Sequence, residues 1–433
     1  MLPQSNFMVL APIVPARLAE LRDRLASMND APGRVNPNNP LVPFSQLDSV
    51  HVARFLIVDD KTVDDIACYG VTPQAFPLYL AFLGDIDGDR TAFLRRAAEV
   101  AGPGLRSVFS CCEGFTGSTD LFAWMKSHSV SPAANYVNSR GRSVRRVREE
   151  AALADNIDAF VQHNAGALSN LSPQDTHATI RRHVDAERSA GRLTLSPEEP
   201  TPVGWQIANV AHLVGGPLLI LLASPILLPL AALTLLRLRS LEKTDPVLCS
   251  RCDATYSDEL ALIEDHDVSN QFTAMGSLKP GLARRWMAMS AFWIIDYAAR
   301  HITPSGNLGR VRSIHFARWV FLDGRKRAAF MSNYDGSLES YMDDFINKVG
   351  FGLNFAFSGG VGYPRTRWVL LDGCSDEREF KEYLRRHQVP TQVWYKAYPG
   401  LTATDLERNH RIRQGVDTPA MSDRDAREWM ALI

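Results

Sequence analysis

Two short segments of the chain carry a histidine and an arginine at the same spacing. His51 and Arg54 lie in one apolar segment, and His315 and Arg318 lie in another. Both segments are typical of strands with apolar residues on both faces, so each arginine needs a partner, because a lone buried charge is costly. Residues three apart on a strand point to opposite faces. We therefore expect each histidine and its arginine to lie in different pockets.

Two aspartates are the predicted partners of these arginines. Asp87 and Asp335 each stand before a glycine and a predicted helix. One role for an arginine–aspartate pair is a structural ion pair repeated by duplication. The other is acid–base and charge-stabilising chemistry at the edge of a cavity. A third alternative is that each aspartate is the N-cap of the helix that follows it, with Ser337 as the other candidate for the helix after Asp335.

The histidines offer two kinds of chemistry. His51 and His315 are candidates for haem ligation or acid–base catalysis, with a hydrogen-bonded strand histidine as the alternative. His128 and His387 stand at the ends of predicted helices, where an imidazole bonds the last carbonyls. Tyr395 lies on the last predicted strand, where it contacts a ligand or packs in the core.

An internal duplication relates the two halves of the chain. Residues 87–115 align with 335–363 without a gap, and 125–136 align with 384–395. A repeat of this length indicates two copies of one structural unit. The second copy has the richer set of polar and aromatic residues, Asn333 among them, so we expect the working site there.

Each unit has the pattern strand, helix, strand, strand, helix, strand, with an extra leading strand. In the second unit, strands are predicted over 314–322, 327–331, 353–357, 368–371 and 392–397, and a helix over 377–386. This order is that of a ferredoxin-like unit. Since helices cover one face of such a sheet, the other face must be buried. We predict an α+β fold in which two ferredoxin-like repeats pack sheet to sheet.

This arrangement resembles the dimeric α/β-barrel superfamily, which includes dye-decolorising peroxidases and chlorite dismutases. The resemblance covers about residues 45–150 and 310–416. Dye-decolorising peroxidases carry a Gly-x-x-Asp-Gly motif with a haem-side aspartate; residues 84–88 fit this spacing, and 332–336 lack the leading glycine. The resemblance implies oxidoreductase activity with haem as the candidate cofactor, but its motif identifies no haem histidine in this chain. The chemistry of the residues themselves makes His315, Asn333 and Tyr395 the candidate contacts.

A charge-free stretch joins the two units. Residues 200–236 contain no Asp, Glu, Lys or Arg, and Pro217, Pro225 and Pro229 interrupt them. The stretch is longer than the roughly 20 residues that cross a bilayer. A single crossing would separate two units that pack together. We therefore favour a proline-kinked hairpin over about 206–236 that enters one leaflet and returns, with a true span or a buried helix as the alternatives.

A second segment, about 283–301, has arginines and tryptophans around an apolar centre. This composition is typical of an interfacial helix, with a core helix as the alternative. The predicted organisation is a helix and linker over 1–44, a first repeat over 45–165, a mostly helical, membrane-associating insertion over 166–310, and a second repeat and tail over 311–433.

Composition limits the partners and the location. Hydrophobic residues make up 45 % and charged residues 22 % of the chain, as in globular proteins. The 47 basic and 48 acidic residues leave a net charge of −1, which gives no surplus for binding nucleic acid. Six scattered cysteines and a start without a basic leader favour a reducing compartment. We expect the cytoplasmic face of a membrane, with the lipid surface and an apolar small molecule as partners; the sequence leaves the oligomeric state open.

Cys249 and Cys252 have the spacing of half a zinc site. No second such pair occurs, so the sequence does not favour zinc. Two functions remain. The first is a membrane-associated oxidoreductase that acts on an apolar or lipid-like substrate between the repeats, through Arg318, Asp335 and His315 or through their equivalents Arg54, Asp87 and His51. The second is a non-catalytic, membrane-anchored binding or scaffold protein.

Overall fold

The computed structural model describes residues 3–248, 251–303, 308 and 310–433. The strands are β1 Gln4–Pro12, β2 Asn29–Ala31, β3 Arg34–Val35, β4 Val50–Val58, β5 Tyr79–Asp87, β6 Ala134–Val137, β7 Ser269–Ser277, β8 Ile314–Leu322, β9 Arg327–Asp335, β10 Thr366–Arg367, β11 Leu371–Asp372 and β12 Thr391–Lys396. The α-helices are α1 Leu18–Ala26, α2 Arg90–Val100, α3 Gly102–Phe109, α4 Leu121–Ser127, α5 Val144–His163, α6 Ala165–Leu168, α7 Pro173–Ser189, α8 Val203–Thr244, α9 Ala254–Ala261, α10 Leu282–Tyr297, α11 Leu338–Phe357, α12 Glu377–His387, α13 Ala403–Asp417 and α14 Asp423–Met430. A 3-10 helix covers Val63–Tyr69, and a π-helix, Ala298–Ile302, continues α10.

Two four-stranded antiparallel sheets form the centre of the fold. Their strand orders are β1-β5-β4-β12 and β7-β9-β8-β6. Three strands of each sheet come from one half of the chain, and the fourth comes from the other half. The two halves therefore exchange their last strands, and each sheet needs both halves to be complete.

The inner faces of the two sheets contact each other through apolar side chains. This cluster comprises Met8, Leu56, Val58, Ala81 and Leu83 of the first sheet and Met275, Val320, Leu322, Ala329 and Met331 of the second. Helices α2, α3 and α4 cover the outer face of the first sheet. Helices α10, α11 and α12 pack against the outer face of the second. The inner faces are thus closed by each other, and the outer faces by helices.

The charge-free stretch forms α8, a single helix of 42 residues. Only Leu238 and Glu242 in this helix are buried, and Ile226 near its middle is 74 % exposed. Its length and composition would allow it to cross a membrane. A helix of a water-soluble protein buries at least one apolar stripe, whereas the described part of the chain offers most of α8 no such cover.

Helix α8 curves away from the protein body. Near its start, Asn209 accepts a hydrogen bond from Arg300 at 2.9 Å, and just beyond its end Asp245 binds Arg284. A straight helix would separate Asn209 from Asp245 by about 54 Å, whereas the two arginines lie only about 24 Å apart along their own helix. Extended arginine side chains cannot bridge that difference. The helix is therefore bent, and its three prolines lie in the bent part.

This helix corrects the hairpin predicted over about 206–236. The backbone stays helical from Val203 to Thr244 and does not reverse in a turn. Proline bends a helix without ending it, which is why three prolines were misleading. Both ends of α8 nevertheless contact the same body, as the reasoning behind the hairpin required.

Several predicted elements change. Strand β1 lies in the segment predicted as helix and linker (1–44), and β7 lies in the predicted helical insertion (166–310); both are edge strands of the sheets. Residues 353–357 belong to α11, because a short apolar run does not by itself distinguish a strand from a buried helix. The predicted strand at 368–371 is the small hairpin of β10 and β11.

Other predicted elements are confirmed. Strand β8, the start of β9, helix α12 and strand β12 agree with the sequence pattern within one or two residues. The predicted helix over 283–301 corresponds to α10 and the π-helix. One side of α10 packs on the body through Ala291 and Phe292, while Trp286 and Ile294 are exposed.

Candidate functional site

Each of the two predicted arginines reaches across to the opposite sheet. Arg54 on β4 donates to the backbone carbonyls of Phe272 and Ser332 at 3.1 and 3.0 Å. Arg318 on β8 donates in the same way to carbonyls on β1 and β5, at 2.9 Å each. Both arginines are almost completely buried. They bind the two sheets together through equivalent contacts.

The predicted pairing of these arginines with Asp87 and Asp335 is wrong. The carboxylate beside Arg318 is that of Asp85, at 2.6 Å. The equivalent position beside Arg54 is occupied by Asn333, whose side-chain oxygen accepts a hydrogen bond from Arg54 at 2.6 Å. One half of the molecule thus has a buried ion pair where the other has a neutral hydrogen bond.

This difference leaves the two arginines with one carboxylate between them, that of Asp85. Burial raises the pKa of Asp85, although the adjacent Arg318 opposes this shift. Burial, together with the charge of Arg318, lowers the pKa of Arg54 to about 9, so its guanidinium stays charged at neutral pH. Hydrogen bonds to two carbonyls, Thr273 and Asn333 satisfy this charge in place of a carboxylate.

The two predicted aspartates bind the histidines instead. The Nε2 atom of His51 lies 3.0 Å from Oδ1 of Asp87, and that of His315 lies 2.6 Å from Oδ1 of Asp335. The second oxygen of each carboxylate accepts the first backbone N–H of a helix, α5 for Asp87 at 2.8 Å and α13 for Asp335 at 2.7 Å. These helices follow the exchanged strands, so each aspartate fixes the path of the chain from one sheet to the other.

Two further expectations fail at these positions. Asp87 and Asp335 are not N-caps, because Asp89 caps α2 and Ser337, the other candidate, caps α11. Nor do His51 and Arg54 lie on opposite faces. The register of β4 shifts just after Val50, and His51 packs 5.5 Å from Phe316 of the other sheet. Strand β8 has an irregularity at the same place, and a bulge of this kind changes which face a residue takes.

The contacts of the histidines do not form a catalytic relay. Ser269 lies 3.1 Å from Nε2 of His315 and 2.6 Å from Asp335. A serine–histidine–aspartate relay uses one ring nitrogen for the serine and the other for the aspartate, whereas here both meet the same nitrogen. Nδ1 of His51 contacts the hydroxyl of Tyr398 at 3.1 Å. These buried groups satisfy one another and hold the fold together.

The residues predicted to hold haem do not fit that cofactor. His315 and Asn333 lie between the sheets, where the arginines reach the opposite backbone directly and leave no space for a macrocycle. Tyr395 lies in the core on the outer side of the first sheet, stacked on Phe44 at 4.8 Å. The three candidate contacts therefore do not face one cavity.

The glycines of the Gly-x-x-Asp-Gly string have structural roles. A Cβ atom on Gly84 would lie 2.3 Å from the carbonyl oxygen of Val52. Gly88 has φ 81°, a conformation that favours glycine. Packing and backbone geometry therefore account for both.

The structure supports neither the predicted pair of cysteines nor an observed cluster of carboxylates as a metal site. Cys249 lies outside the described residues, and burial raises the pKa of the Cys252 thiol, which disfavours the thiolate that binds zinc.

Elsewhere, three carboxylates that come together share the ammonium of Lys381 at 2.5–2.6 Å, and they belong to Glu339, Asp343 and Glu377. Burial opposes the charge on Lys381, but these three hydrogen bonds outweigh it and raise its pKa. The ammonium of Lys381 thus offsets one of the three negative charges and holds the carboxylates together.

A cleft of about 350 Å³ lies beside the end of α8. Leu248, which follows α8, forms part of one wall, and Tyr383, Arg386 and His387 on α12 form another. Arg386 is paired with Asp65 of the 3-10 helix at 2.5 Å. The cleft therefore joins the exit of the apolar helix to polar groups of the body.

The predicted role of the helix-end histidines is confirmed. Nδ1 of His128 and of His387 bonds the carbonyl one turn earlier, at 2.9 and 2.8 Å. In His387, Nε2 is buried and has no hydrogen-bond partner among the described residues. Since a carbonyl only accepts, Nδ1 carries the proton and Nε2 presents a lone pair. Burial lowers the pKa of His387, which favours the neutral ring, so Nε2 is an unused acceptor buried behind this wall of the cleft.

Comparison with known proteins gives no match: no family model, no curated protein and no solved structure is similar to the chain.

Sequence reasoning missed Asp85, although a signal was present. Asp85 and Asp87 are two residues apart on β5, so they lie on the same face and are equally available to the opposite sheet. It also missed Tyr398 and the cleft. Their contacts depend on the exchange of strands and on segments far apart in the chain.

Proposed function

We propose that this chain is a monotopic membrane protein that α8 anchors in one leaflet of a bilayer and that binds a ligand at the membrane surface. The observation that carries the proposal is that the middle of α8 is both apolar and exposed on every side. A partner protein covers one side of a helix, whereas lipid surrounds it. Removing apolar surface from water contributes about 25 cal/mol per Å². The cysteine usage favours the cytoplasmic leaflet.

The contacts at the two ends of α8 support insertion from one side. Gly216 lies against Trp293, and Leu238 packs near Met287 and Ala291, so both ends of the curved part meet α10. The helical path between them is about 33 Å, so its middle can reach no more than about 16 Å from the body. This upper limit is about half the thickness of a hydrocarbon core, which is about 30 Å, so α8 would stay within one leaflet.

We also propose that each half of the chain is a ferredoxin-like repeat. The matching strand orders and the equivalent arginine contacts support this assignment. Exchange of the last strands would then hold the repeats sheet to sheet. The anchor would leave from the segment between them without disturbing either sheet.

The cleft beside α8 is where we place the ligand. The unused acceptor of His387 lies buried behind its polar wall and suits a hydroxyl or ammonium donor that enters from the cleft, and Val247 and Leu248 give the cleft an apolar side toward α8. An amphiphile combines these features. A binding role is favoured over oxidation between the repeats, because the arginines there reach the backbone of the opposite sheet and the predicted histidines are paired with Asp87 and Asp335.

Flotation with vesicles tests the membrane anchor. Full-length protein is mixed with phosphatidylcholine vesicles and centrifuged through a sucrose gradient at about 0.1 M and at about 1 M salt. The Debye length is about 10 Å in the first condition and about 3 Å in the second, so the higher salt screens contacts between charges. We expect the protein to float in both, because the contact is apolar. A variant with Leu219, Leu222 and Leu228 replaced by Gln should remain at the bottom. Wild-type protein that stays soluble, monomeric and unbound would contradict the proposal.

Binding of octyl glucoside below its micelle concentration tests the cleft, since this probe joins hydroxyl donors to an alkyl chain. Replacing His387 by Phe removes the acceptor and should weaken binding about tenfold. His128→Phe changes the equivalent residue of the other half and should leave binding unchanged. Equal affinity in all three proteins would rule out the cleft as the site.

A further inference from the structure

The small hairpin of β10 and β11 has an unusual backbone. Trp368, Val369 and Asp372 have φ values of 57°, 67° and 62°. Residues other than glycine rarely adopt this conformation, and it is particularly unfavourable for a β-branched residue such as valine. Strain of this kind persists only where surrounding contacts impose it.

Two buried side chains impose this conformation. The carboxylate of Glu242, in the last turns of α8, accepts the backbone N–H groups of Trp368 at 2.9 Å and of Val369 at 2.6 Å. From the other side, Asn354 on α11 donates to the carbonyls of Leu370 at 2.8 Å and of Asp372 at 3.1 Å. The hairpin is therefore fastened directly to the end of the proposed membrane anchor.

The strained backbone determines which side chains of the hairpin point inward and which point outward. Val369 points inward and packs with Leu238 of α8. Trp368, Leu370 and Leu371 point outward, and each is more than 40 % exposed. Arg239 of α8 lies over the Trp368 ring, 6.0 Å from its centroid. The fold thus holds three large apolar side chains in water beside the base of α8.

We propose that this hairpin, residues 366–372, is a second contact with the bilayer, which inserts Trp368, Leu370 and Leu371 at the level of the lipid headgroups. The inference rests on the proposed anchoring of α8. The occupant is the membrane surface because the patch continues the exposed apolar surface of α8 at the end that enters the body. Tryptophan with a neighbouring arginine is the composition that proteins place at this level. Two contacts would fix the orientation of the body, whereas one helix alone would allow it to tilt.

The test is a triple variant, Trp368→Ser, Leu370→Ser and Leu371→Ser, measured with phosphatidylcholine vesicles. Since these side chains are exposed, thermal unfolding without vesicles should be unchanged. Vesicle affinity should fall about tenfold or more but not vanish, since α8 still binds. Trp368→Tyr should retain most of the affinity, because tyrosine also favours the interface. A control at an exposed leucine between α6 and α7, Leu171→Ser, should bind like the wild type.

Quenching by brominated lipid gives the second readout. The wild type should lose more fluorescence than Trp368→Phe, because Trp368 contacts lipid. Equal quenching and equal affinity of the triple variant, in a wild type that binds vesicles, would overturn this inference alone. If the wild type did not bind vesicles, the proposed anchoring would fail first. A change in oligomeric state without a change in vesicle affinity would overturn it in favour of a second copy as the occupant.

Discussion

Placing a charge at the middle of α8 separates membrane binding from folding. Ile226 is 74 % exposed and stands between two of the prolines in the bent part of the helix. On insertion scales, isoleucine contributes about −0.5 kcal/mol and arginine about +3 kcal/mol at the centre of a membrane helix. Ile226→Arg should therefore weaken membrane binding by about 3 kcal/mol, which is more than a hundredfold. In water, the same change should alter the free energy of unfolding by no more than about 0.5 kcal/mol.

The assay is partition of the protein into phosphatidylcholine vesicles as lipid concentration is varied, with urea unfolding of the same proteins in the absence of lipid. Leu171→Arg is the matched control, because Leu171 is an exposed leucine between α6 and α7, away from α8. Only Ile226→Arg should lose affinity. The reasoning is refuted if both variants lose affinity equally, or if Ile226→Arg binds as tightly as the wild type.

Three further predictions concern the body. Arg318→Met should lower the free energy of urea unfolding by about 3–5 kcal/mol, because it leaves the buried carboxylate of Asp85 unpaired. Adding Asp85→Leu should recover most of this loss. No loss of stability in the single variant would contradict the ion pair. Gly104→Ala would put a methyl group 1.8 Å from a backbone oxygen and should lower Tm by several degrees. Gly352→Ala, at the aligned position, meets no atom closer than 4.0 Å and should be neutral or stabilising by about 0.5–1 kcal/mol. Equal shifts in Tm would contradict the packing described around these glycines. Because burial lowers the pKa of His387, the unfolded chain binds a proton at this residue before the folded chain does as the pH falls. The free energy of unfolding should therefore decrease below about pH 6.5 by up to about 1.4 kcal/mol per pH unit, and His387→Gln should remove that slope. Identical pH profiles of the two proteins would contradict this prediction.

Local pattern was sufficient for many elements of the fold. Strand β8, helix α12 and the helix-end contacts of His128 and His387 follow from alternation, helical spacing and the chemistry of imidazole. The duplication correctly pointed to Arg54 and Arg318 as equivalent residues. These are features that a segment of about ten residues determines by itself.

Features that depend on distant segments were beyond this reasoning. A last strand has the same pattern whichever sheet it joins, so the exchange of β6 and β12 leaves no local trace. The bulge near His51 changed which residues share a face. The partner of Arg318 depended on how the sheets stack, and therefore Asp85 was missed although Asp87 was considered.

The helix α8 shows the same limit in another form. Its composition identified an apolar segment that meets lipid or a core, but its shape depended on contacts at its two ends, with Arg300 and with Arg284. Three prolines favour either a turn or a bend. The helix bends and does not turn back in a loop because both of its ends are held by contacts with the protein body.

Side-specific labelling tests most directly whether α8 enters and leaves by one face of the bilayer. Gly204→Cys and Lys243→Cys place a thiol at an exposed position near each end of the helix, and the protein is bound to preformed vesicles before treatment with a maleimide that does not cross membranes. Exposed Cys68 reports labelling of the body. Because burial raises the pKa of the Cys68 thiol, both introduced thiols should react at least as fast as Cys68 does. Reaction of only one of them until the vesicles are opened with detergent would mean that α8 crosses the bilayer, and would contradict the account.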